Sequence, residues 1–526
     1  GMVNTSLTDF NAMTEPEFQK GYSRELATRS WFGRVNYAYD GRYLFEANVR
    51  YDASSRFAPE NRWGMFPSFS AGWRISEEKF MQNVNAIDEL KLRASWGQLG
   101  NSSIGNYYAY QSLYSVVNYV FGNSVGSGFG MSSFSNLGLQ WETTSVSNVG
   151  IDATLLGNRL NATVDLYNKV TDGILYRPSL SNSLKYFGSP YQNIAEVTNR
   201  GAEFTLGWQD TKKDFYYSVK ANFSLNHNEV TKYKGKLERG WKDEKYYTNL
   251  GDVSTGGDTR VLEGHQINEY YLLNIYKGNG SHFNADGSVN IGGGPKDGMI
   301  RTEKDMEWLR AMVAAGYEFY PAKGISKSEI WYGDIIYADA NGDGIYGNDN
   351  DREFQGTSST PKYYYGLQTS AAWKGFDFAV NFAGAAGFKI LWWDQSLNST
   401  RLTRTYGIGK DVANDHYYYD PENPTDPRTN TSSKTTRLTI GGTAQTETSS
   451  QLWLQNGNYL KLKSLTIGYT FPSKWMNKAH IQNLRIYATG ENLFTITKFK
   501  GLDPEMVAGN GYLPMRQYAF GVNITF

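Results

Sequence analysis

Hydrophobic and polar residues alternate one by one along many short segments of this chain. In the last segment, Tyr518, Phe520, Val522, Ile524 and Phe526 fall on one face, while the residues between them are small or polar. Such alternation is typical of a β-strand that separates an apolar from a polar environment. The pattern predicts about thirteen strands, which cover residues 31–39, 43–51, 69–75, 89–97, 145–156, 160–168, 201–208, 215–227, 361–373, 376–383, 459–471, 484–497 and 513–526.

The alternation changes phase once, inside segment 459–471. Leu460 and Leu462 follow one phase, whereas Leu465 and Ile467 follow the other. An uncorrected slip of one residue would turn apolar side chains to the polar side of the sheet. We therefore predict a β-bulge near Ser464, because one extra residue restores the phase.

The connections between these strands alternate between short and long. Long polar connections are predicted over residues 98–140, 169–195, 228–360 and 387–451. Tight hairpins are predicted where Gly or Asn tolerates a positive φ, at Asp40-Gly41, Gly157-Asn158 and Lys374-Gly375. Outer-membrane barrels have short periplasmic turns and long outer loops, whereas soluble domains rarely contain so many long connections. We therefore predict an all-β fold, a transmembrane antiparallel β-barrel with long extracellular loops, in which 228–360 is a long extracellular insertion.

The direction of the strands predicts where the chain starts. If 215–227 runs outward and 361–373 runs inward, Phe526 lies at the periplasmic end and residues 1–29 lie in an extracellular loop. An odd strand count with an extracellular start does not close an even-stranded barrel. We expect a signal sequence and further strands to precede Gly1; the alternative is that one strand has been missed or wrongly added.

The composition agrees with a cell-envelope protein. The 526 residues include 39 Tyr, 27 Phe, 14 Trp and 55 Gly, which suit aromatic girdles and tight turns. Basic and acidic residues balance at 52 each, so charge gives no reason to expect nucleic acid as a partner. The absence of cysteine excludes disulfides, zinc–thiolate sites and a cysteine nucleophile. No run of about 18 apolar residues occurs, which excludes membrane-spanning helices.

The C-terminal strand carries a second feature of outer-membrane barrels. It ends with Gly521, Ile524 and a terminal aromatic residue, Phe526, at spaced positions. This ending resembles the signal by which such barrels are recognised and inserted into the membrane. The alternative is a strand that ends in phenylalanine by chance.

Several motifs resemble, in order and spacing, the SusC/RagA type of TonB-dependent transporter. Together they extend over essentially the whole chain. They are Gly33–Tyr37, Tyr43–Phe57, Phe66–Arg74, Leu90–Gly97, Trp141-Glu142, Asn199-Arg200-Gly201, Gly333-Asp334-Ile335, Leu460-Lys461-Leu462 and Gly490–Phe494.

The resemblance implies a barrel of about 22 strands, of which this chain supplies the C-terminal portion. It also implies an upstream plug segment, absent from residues 1–526, that couples the barrel to TonB, and a SusD-like surface lipoprotein that captures cargo. The predicted function is TonB-dependent import of a bulky nutrient across the outer membrane of a Gram-negative bacterium, with oligosaccharide favoured over oligopeptide. The alternatives are a passive porin or surface-binding barrel and, less favoured, an outer-membrane enzyme.

One loop has the D-x-N-x-D-G spacing of a calcium site. Asp339, Asn341, Asp343 and the carbonyl of Ile345 would present the oxygen ligands that this hard cation prefers. Asn350 occupies the place of the bidentate glutamate of an EF-hand. Nearby acidic residues could substitute for it, namely Asp349, Asp351 and Glu353. The loop predicts either a structural calcium or a metal-free turn, and no cofactor is required for the predicted function.

Aromatic residues beside carboxylates lie at both edges of the 387–451 connection. Exposed rings of this kind suit stacking on sugars or gripping a peptide. The alternative is packing within loops or an interfacial girdle. The predicted substrate-binding residues are Trp392, Trp393, Asp394, Tyr417, Tyr418 and Tyr419.

The chain carries no recognisable catalytic motif. H-E-x-x-H does not occur, and the G-x-S-x-G spacing at Gly122, Ser124 and Gly126 lies in a stretch of small residues without the strand–turn–helix pattern of a hydrolase, so a metalloprotease site and a hydrolase nucleophile lack their usual context. We predict that the protein is not an enzyme. The five histidines are scattered, at His227, His265, His282, His416 and His480.

Overall fold

The chain folds into two compact units, which are described separately. The computed structural model describes residues 23–122, 124–177, 189–233, 258–392, 400–402, 407–506 and 512–526, together with the backbone of 237–239 and 249–251. The first unit comprises Gly1–Lys236 and Leu262–Ile267, and the second comprises Leu237–Val261 and Asn268–Phe526.

The first unit is dominated by one antiparallel sheet. Its strands are β1 (Thr28–Tyr39), β2 (Tyr43–Ser54), β3 (Trp63–Arg74), β4 (Ile87–Asn101), β5 (Leu113–Phe121), β6 (Ser124–Ser133), β7 (Glu142–Leu155), β8 (Leu160–Tyr176), β9 (Gln192–Lys212) and β10 (Phe215–Tyr233). Eight of them, β1 to β4 and β7 to β10, follow one another in the sheet in chain order. The other two, β5 and β6, pair only with each other and form a hairpin in the connection between β4 and β7.

The second unit contains five long antiparallel strands and many short ones. The strands are β11 (Leu237–Arg239), β12 (Asn249–Gly251), β13 (Thr259–Arg260), β14 (Glu269–Leu273), β15 (Glu318–Phe319), β16 (Ile345–Tyr346), β17 (Arg352–Phe354), β18 (Tyr363–Trp373), β19 (Phe376–Ala386), β20 (Lys389–Leu391), β21 (Arg401–Leu402), β22 (Thr439–Ile440), β23 (Leu454–Asn456), β24 (Tyr459–Thr470), β25 (Asn483–Thr497) and β26 (Gln517–Thr525). The long ones pair in the order β18, β19, β24, β25 and β26. The short ones pair in sheets of two or three strands.

Helices are few and short. The α-helices are α1 (Glu303–Ala314), α2 (Lys410–Asn414) and α3 (Ser473–Met476). Single 3-10 turns occur at Pro59–Asn61, Ile75–Glu77, Lys79–Met81, Asp349–Asp351, Gln451–Trp453 and Asn477–Ala479. Within the described ranges, none of the helices combines the length and apolar character needed to cross a membrane.

All thirteen segments predicted from the alternation are strands, eight in the first unit and five in the second. Several strands are longer than predicted where they meet a long connection. For example, β9 has 21 residues, although only 201–208 was predicted. Within the connection predicted over 98–140, the first residues belong to β4 and the middle forms the β5–β6 hairpin, which the alternation did not predict. Residues 513–516 precede β26 and do not extend it.

The predicted bulge in β24 is confirmed, and the extra residue is Lys463. On the neighbouring strand β19, Asn381 pairs with Ser464 and Phe382 pairs with Leu462, so Lys463 has no pairing partner in that ladder. The pairing with β25 shifts at the same place. The bulge returns Leu465 to the phase that the rest of β24 requires.

Large apolar side chains are exposed along one face of these strands. In β26 the exposed residues include Tyr518, Phe520 and Val522, and Phe520 is 84% exposed. Soluble proteins rarely expose apolar surface over so many neighbouring strands. A regular apolar face opposite small and polar residues is typical of strands that contact lipid.

The polar face of the second unit carries an ion pair that spans three strands. Arg485 of β25 donates through Nε and Nη2 to the two carboxylate oxygens of Asp377 in β19, at 2.9 and 2.6 Å. Strand β24 lies between them and places Gly468 at the crossing. A Cβ on Gly468 would lie 2.5 Å from Asp377 Oδ1 and 2.7 Å from Arg485 Nη2. The pair in its present position therefore requires glycine.

The first unit repeats this arrangement. Arg93 of β4 donates through Nη1 and Nη2 to both carboxylate oxygens of Asp165 in β8, each at 2.6 Å. Gly150 of the intervening β7 makes room for it, since a Cβ there would lie 2.5 Å from Arg93 Cζ. Arg93 Nε also donates to Asp152 at 2.9 Å.

The connection before β18 has its own apolar core around α1. Thr302 caps this helix, because its hydroxyl accepts from Asp305 N and the Asp305 carboxylate accepts from Thr302 N. The helix buries Met306, Trp308, Leu309 and Met312. Other members of this core are Leu273, Tyr276, Met299, Ile300, Phe319, Ala322, Ile330, Tyr332, Ile335, Ile336, Tyr337, Tyr346 and Tyr417. The described part of 234–362 thus shares this core with Tyr417 of the 387–451 connection and contributes none of the thirteen long strands; its extracellular position stays a prediction.

Candidate functional site

A cavity of about 620 Å³ lies in the second unit. Its walls come from the residues that follow β20 and β25, from α2, from the coil that precedes β21 and β22, and from the 3-10 turn at Gln451–Trp453 with the adjoining strand β23. The lining residues are Trp392, Thr400, Gly409, Lys410, Asp411, Val412, Asn414, Asp415, Lys434, Thr435, Thr436, Leu452, Trp453, Gln455, Lys500 and Leu502. Its size is that of a small-ligand site.

Buried residues form the floor of the cavity. Trp392 and Trp453 are each only 6% exposed. The Trp392 ring packs edge-on against Phe499, with ring centroids 5.3 Å apart. The hydroxyls of Thr400 and Thr436 are hydrogen-bonded at 3.0 Å. The indole Nε1 of Trp453 has no hydrogen-bond partner in the structure, although a buried donor normally has one.

Charged residues form the rim. Lys410, Lys434 and Lys500 are exposed, as are Asp411 and Asp415. None of the three lysines forms an ion pair with a carboxylate in the described ranges. Asp415 already accepts a hydrogen bond from the Asn430 amide at 3.1 Å. Hydrogen bonds from Ser433 and Asn430, aided by the charge of Lys500, hold the pKa of Asp415 below its ordinary value.

One wall of the cavity is fixed by a buried lysine. Lys461 of β24 contacts both oxygens of Asp503 and one oxygen of Glu505, all at 2.7 Å. These carboxylates follow the lining residues Lys500 and Leu502 in sequence. Burial alone would raise the pKa of Glu505. Hydrogen bonds from Lys461 and Lys463 outweigh the effect of burial, so the pKa of Glu505 is lowered. The contacts hold the loop that forms this wall.

The predicted aromatic residues do not form a single exposed surface. Trp392 lies on the cavity floor, whereas Tyr417 is 1% exposed and donates its hydroxyl to the carbonyl of Arg301 at 2.7 Å, inside the core around α1. The prediction that these two rings are exposed was wrong. Tyr418 and Tyr419 are half-buried, with the Tyr418 ring below Arg428. Trp393 and Asp394 lie outside the described residues. The role of the set in substrate binding stays a prediction.

The carboxylates of the predicted calcium loop accept hydrogen bonds from the loop itself. Asp339 accepts from Gly342 N and Gly344 N at 2.6 and 2.9 Å, and Asp343 accepts from Ile345 N at 2.8 Å. Across the part of the chain that the structure describes, no three His, Cys, Asp or Glu residues are grouped to hold a metal. Calcium binding by Asp339, Asn341, Asp343 and Ile345 stays a prediction.

Asp351 is the nearby acidic residue that closes this loop. Its carboxylate accepts from Ala340 N at 2.8 Å, from Gly347 N at 2.8 Å and from Asn348 N at 3.0 Å. Burial raises the pKa of Asp351 to about 6 despite these donors. The spacing of the sequence alone did not distinguish it from Asp349 or Glu353.

The residues of the predicted insertion signal lie on β26 and at the C-terminus. A Cβ on Gly521 would lie 2.2 Å from Cζ of Tyr487, so the glycine makes room for that ring. Ile524 and Phe526 are exposed. Their role in membrane insertion stays a prediction.

Sequence reasoning missed the rim lysines and the function of Lys461. The lysines come from three separated segments that share no periodicity. Lys461 did carry a signal, because a charged residue between Leu460 and Leu462 in a strand requires a buried partner or a polar face. Its partner Asp503 lies 42 residues away.

Comparison with known proteins identifies the family. The family model for the TonB dependent receptor-like β-barrel matches residues 3–290. The chain belongs to this TonB-dependent receptor family. The predicted resemblance to SusC/RagA-type proteins is confirmed. Members of the family are TonB-dependent receptors and transporters of the outer membrane, not enzymes.

Individual relatives match the whole chain. TonB-dependent receptor SusC of Bacteroides thetaiotaomicron is 29% identical over 522 residues, which cover 97% of this chain and 44% of SusC. The structure of the RagAB peptide transporter aligns with this chain at a TM-score of 0.70 and 25% identity. The alignment covers 100% of this chain and 50% of the RagAB chain. The RagAB peptide importer in its open-open state has a TM-score of 0.70 and 26% identity, with 100% of this chain and 49% of its own covered. The chain thus spans about half the length of these relatives.

Proposed function

We propose that the full-length protein imports a bulky nutrient across the outer membrane and that TonB supplies the energy. The observation that carries the proposal is the match to TonB-dependent receptors together with thirteen long antiparallel strands that expose an apolar face. In this proposal the apolar face contacts outer-membrane lipid. An upstream plug segment of the same protein contacts TonB.

The proposed cargo is an oligosaccharide. The cavity supports this choice because it combines apolar indoles at Trp392 and Trp453 with hydroxyl and amide groups at Thr435, Asn414 and Gln455. Sugars offer both apolar faces and paired hydroxyls, which such a lining complements. The alternative cargo is an oligopeptide, because the RagAB neighbours are described as peptide transporters.

Energy-dependent uptake tests this proposal. Cells that carry the full-length protein are expected to accumulate labelled oligosaccharide, and dissipation of the proton-motive force is expected to abolish that accumulation. The measurement is the initial rate of uptake with and without a protonophore, compared with a strain that lacks the gene. Uptake that continues at the same rate without the proton-motive force would support the passive porin instead.

We also propose that a SusD-like surface lipoprotein docks on the β5–β6 hairpin. Residues 113–133 contain no charged side chain. Tyr119, Phe121 and Val125 are each more than half exposed, and the rings of Tyr119 and Phe121 contact each other at 5.1 Å. A two-stranded hairpin is marginally stable alone in water, and an uncharged aromatic surface is typical of a protein interface.

Removing the two rings tests the docking surface. The double variant Tyr119→Ser and Phe121→Ser is expected to retain, after purification, at most about one tenth of the lipoprotein that the wild type retains. The reason is that exposed aromatic anchors carry much of the energy of an interface. Quantitative mass spectrometry of the purified full-length protein provides the measurement. Ser115→Ala on the same hairpin is the control and should retain wild-type amounts. Equal retention by the double variant would exclude the hairpin as the docking site.

A further inference from the structure

We propose that the 620 Å³ cavity selects oligosaccharides that carry anionic substituents, either carboxylate or sulfate. The inference rests on the proposed function and deepens it by naming the class of cargo. It is drawn from the contrast between the buried apolar floor and the charged rim.

The rim has an excess of positive charge that its own carboxylates do not neutralise. Lys410, Lys434 and Lys500 contribute three ammonium groups, against two carboxylates from Asp411 and Asp415. The hydrogen bond from the Asn430 amide leaves the Asp415 carboxylate charged, so the rim carries a net excess of one positive charge. The charge of Lys500 acts on Asp415, whereas Lys410 and Lys434 form no ion pair with a described carboxylate, so these two ammonium groups are available to a ligand.

In this proposal the buried floor of the cavity binds the sugar ring. Trp392 and Trp453 supply the apolar surface, and the hydrogen-bonded hydroxyls of Thr400 and Thr436 supply paired donors and acceptors. The unpartnered Nε1 of Trp453 adds a buried donor. A ligand oxygen that accepts from it would remove the cost of leaving that donor unpaired.

The lining favours a sugar over a peptide. Extended peptides are commonly held by main-chain hydrogen bonds along a free strand edge. The strand that contributes Gln455 to the lining, β23, pairs with β20 along one edge and has only three residues, so its other edge is too short to hold an extended peptide. The other described lining residues lie in α2, in the 3-10 turn or in coil. Side-chain hydroxyls, amides and ammonium groups are therefore what the cavity offers to a ligand.

Binding of three oligosaccharides of matched length tests the proposal. The probes are an oligogalacturonate, a sulfated galactan oligosaccharide and a neutral galacto-oligosaccharide, titrated by calorimetry into the full-length protein with its partner. Both anionic probes, or the one whose substituent fits, are expected to bind at least about tenfold more tightly than the neutral probe, because ion-assisted hydrogen bonds are about twice as strong as neutral ones. The preference should decrease as salt is added.

Matched variants that remove lysine charges test whether the rim lysines cause the preference for anionic probes. Lys410→Gln with Lys434→Gln is expected to remove most of the preference for the anionic probe and to change binding of the neutral probe by less than about twofold. Lys474→Gln with Lys478→Gln removes two exposed lysines near the turn between β24 and β25 and is the control. All four lysines are exposed, so both double variants should fold normally.

Several outcomes would overturn the proposal. Equal binding of neutral and anionic probes would do so, as would an anionic preference unchanged in Lys410→Gln with Lys434→Gln. Tighter binding of an oligoglutamate peptide than of either anionic sugar would also contradict it. If no probe binds while energised uptake of the natural nutrient continues, the cavity proposal fails and the proposed transport function stands.

Discussion

Lys461→Met is expected to release the loop that forms one wall of the cavity. The Lys461 side chain is 3% exposed and is the common partner of Asp503 and Glu505. Its loss leaves Asp503 without its lysine partner and leaves Glu505 with Lys463 alone. Breaking a buried pair costs about 3–5 kcal/mol, and the partial exposure of both carboxylates places the expected loss at the lower end of that range. Hydrogen exchange of residues 499–506, followed by mass spectrometry, should show that the free energy of local opening falls by about this amount.

Lys463→Met is the matched control for this variant. Among the described carboxylates, Lys463 contacts Glu505 alone, and its side chain is 31% exposed. Because solvent screens an exposed pair, the loss should be below about 1 kcal/mol. Lys461→Met should also weaken ligand binding in the cavity, since Lys500 and Leu502 move with the loop. Equal hydrogen exchange in the two variants would contradict a special role for Lys461.

Arg437→Met is expected to open the core around α1. Asp334 is fully buried, and its Oδ2 accepts from Nε and Nη2 of Arg437 at 3.0 and 2.8 Å and from Trp331 N at 2.8 Å. Removal of the guanidinium leaves an uncompensated buried charge, which costs about 3–5 kcal/mol. The measurement is the free energy of opening of residues 298–336 by hydrogen exchange. Arg428→Met, which removes an exposed arginine paired with Asp426, should cause no measurable change.

The loss of stability caused by Arg437→Met should depend on pH. Burial raises the pKa of Asp334, and Arg437 opposes that rise. Without the arginine, the folded state holds the Asp334 proton still more tightly than the unfolded chain does. The variant is therefore least impaired at low pH and loses stability as pH rises above about 4, the ordinary pKa of aspartate. A deficit that is constant between about pH 4 and pH 8 would show that Asp334 is not the group left unpaired.

The interior of each strand could be predicted from the sequence, whereas the strand ends that meet the long connections could not. Alternation reports two different environments on the two faces of a strand. In the first half of β9, the neighbours Val197 and Thr198 are both buried, as is Ile194. Packing on both faces removes the polar phase, so the pattern ends before the strand does.

The buried aromatic residues show a second limit of sequence reasoning. Tyr417 lies in a polar, tyrosine-rich stretch that resembles an exposed loop. Its hydroxyl partner is the carbonyl of Arg301, 116 residues away. Gly333 makes room for the ring, because a Cβ there would lie 2.3 Å from Cδ1 of Tyr417. Contacts at this sequence distance have no local pattern, and the rim of the cavity has none for the same reason.

The ion pairs of Arg485 and Arg93 each pass over a glycine on the strand between the two partners, and this position makes them sensitive to strand alignment. A shift of β24 by one residue would place Ile467 or Tyr469 where Gly468 lies, and either side chain would separate Arg485 from Asp377. A shift by two residues would place Thr466 or Thr470 there, with the same result. Each of these four shifts would separate the pair, so the ion pair favours the observed alignment of β24 over the shifted ones. Arg93, Gly150 and Asp165 impose the same condition on β7.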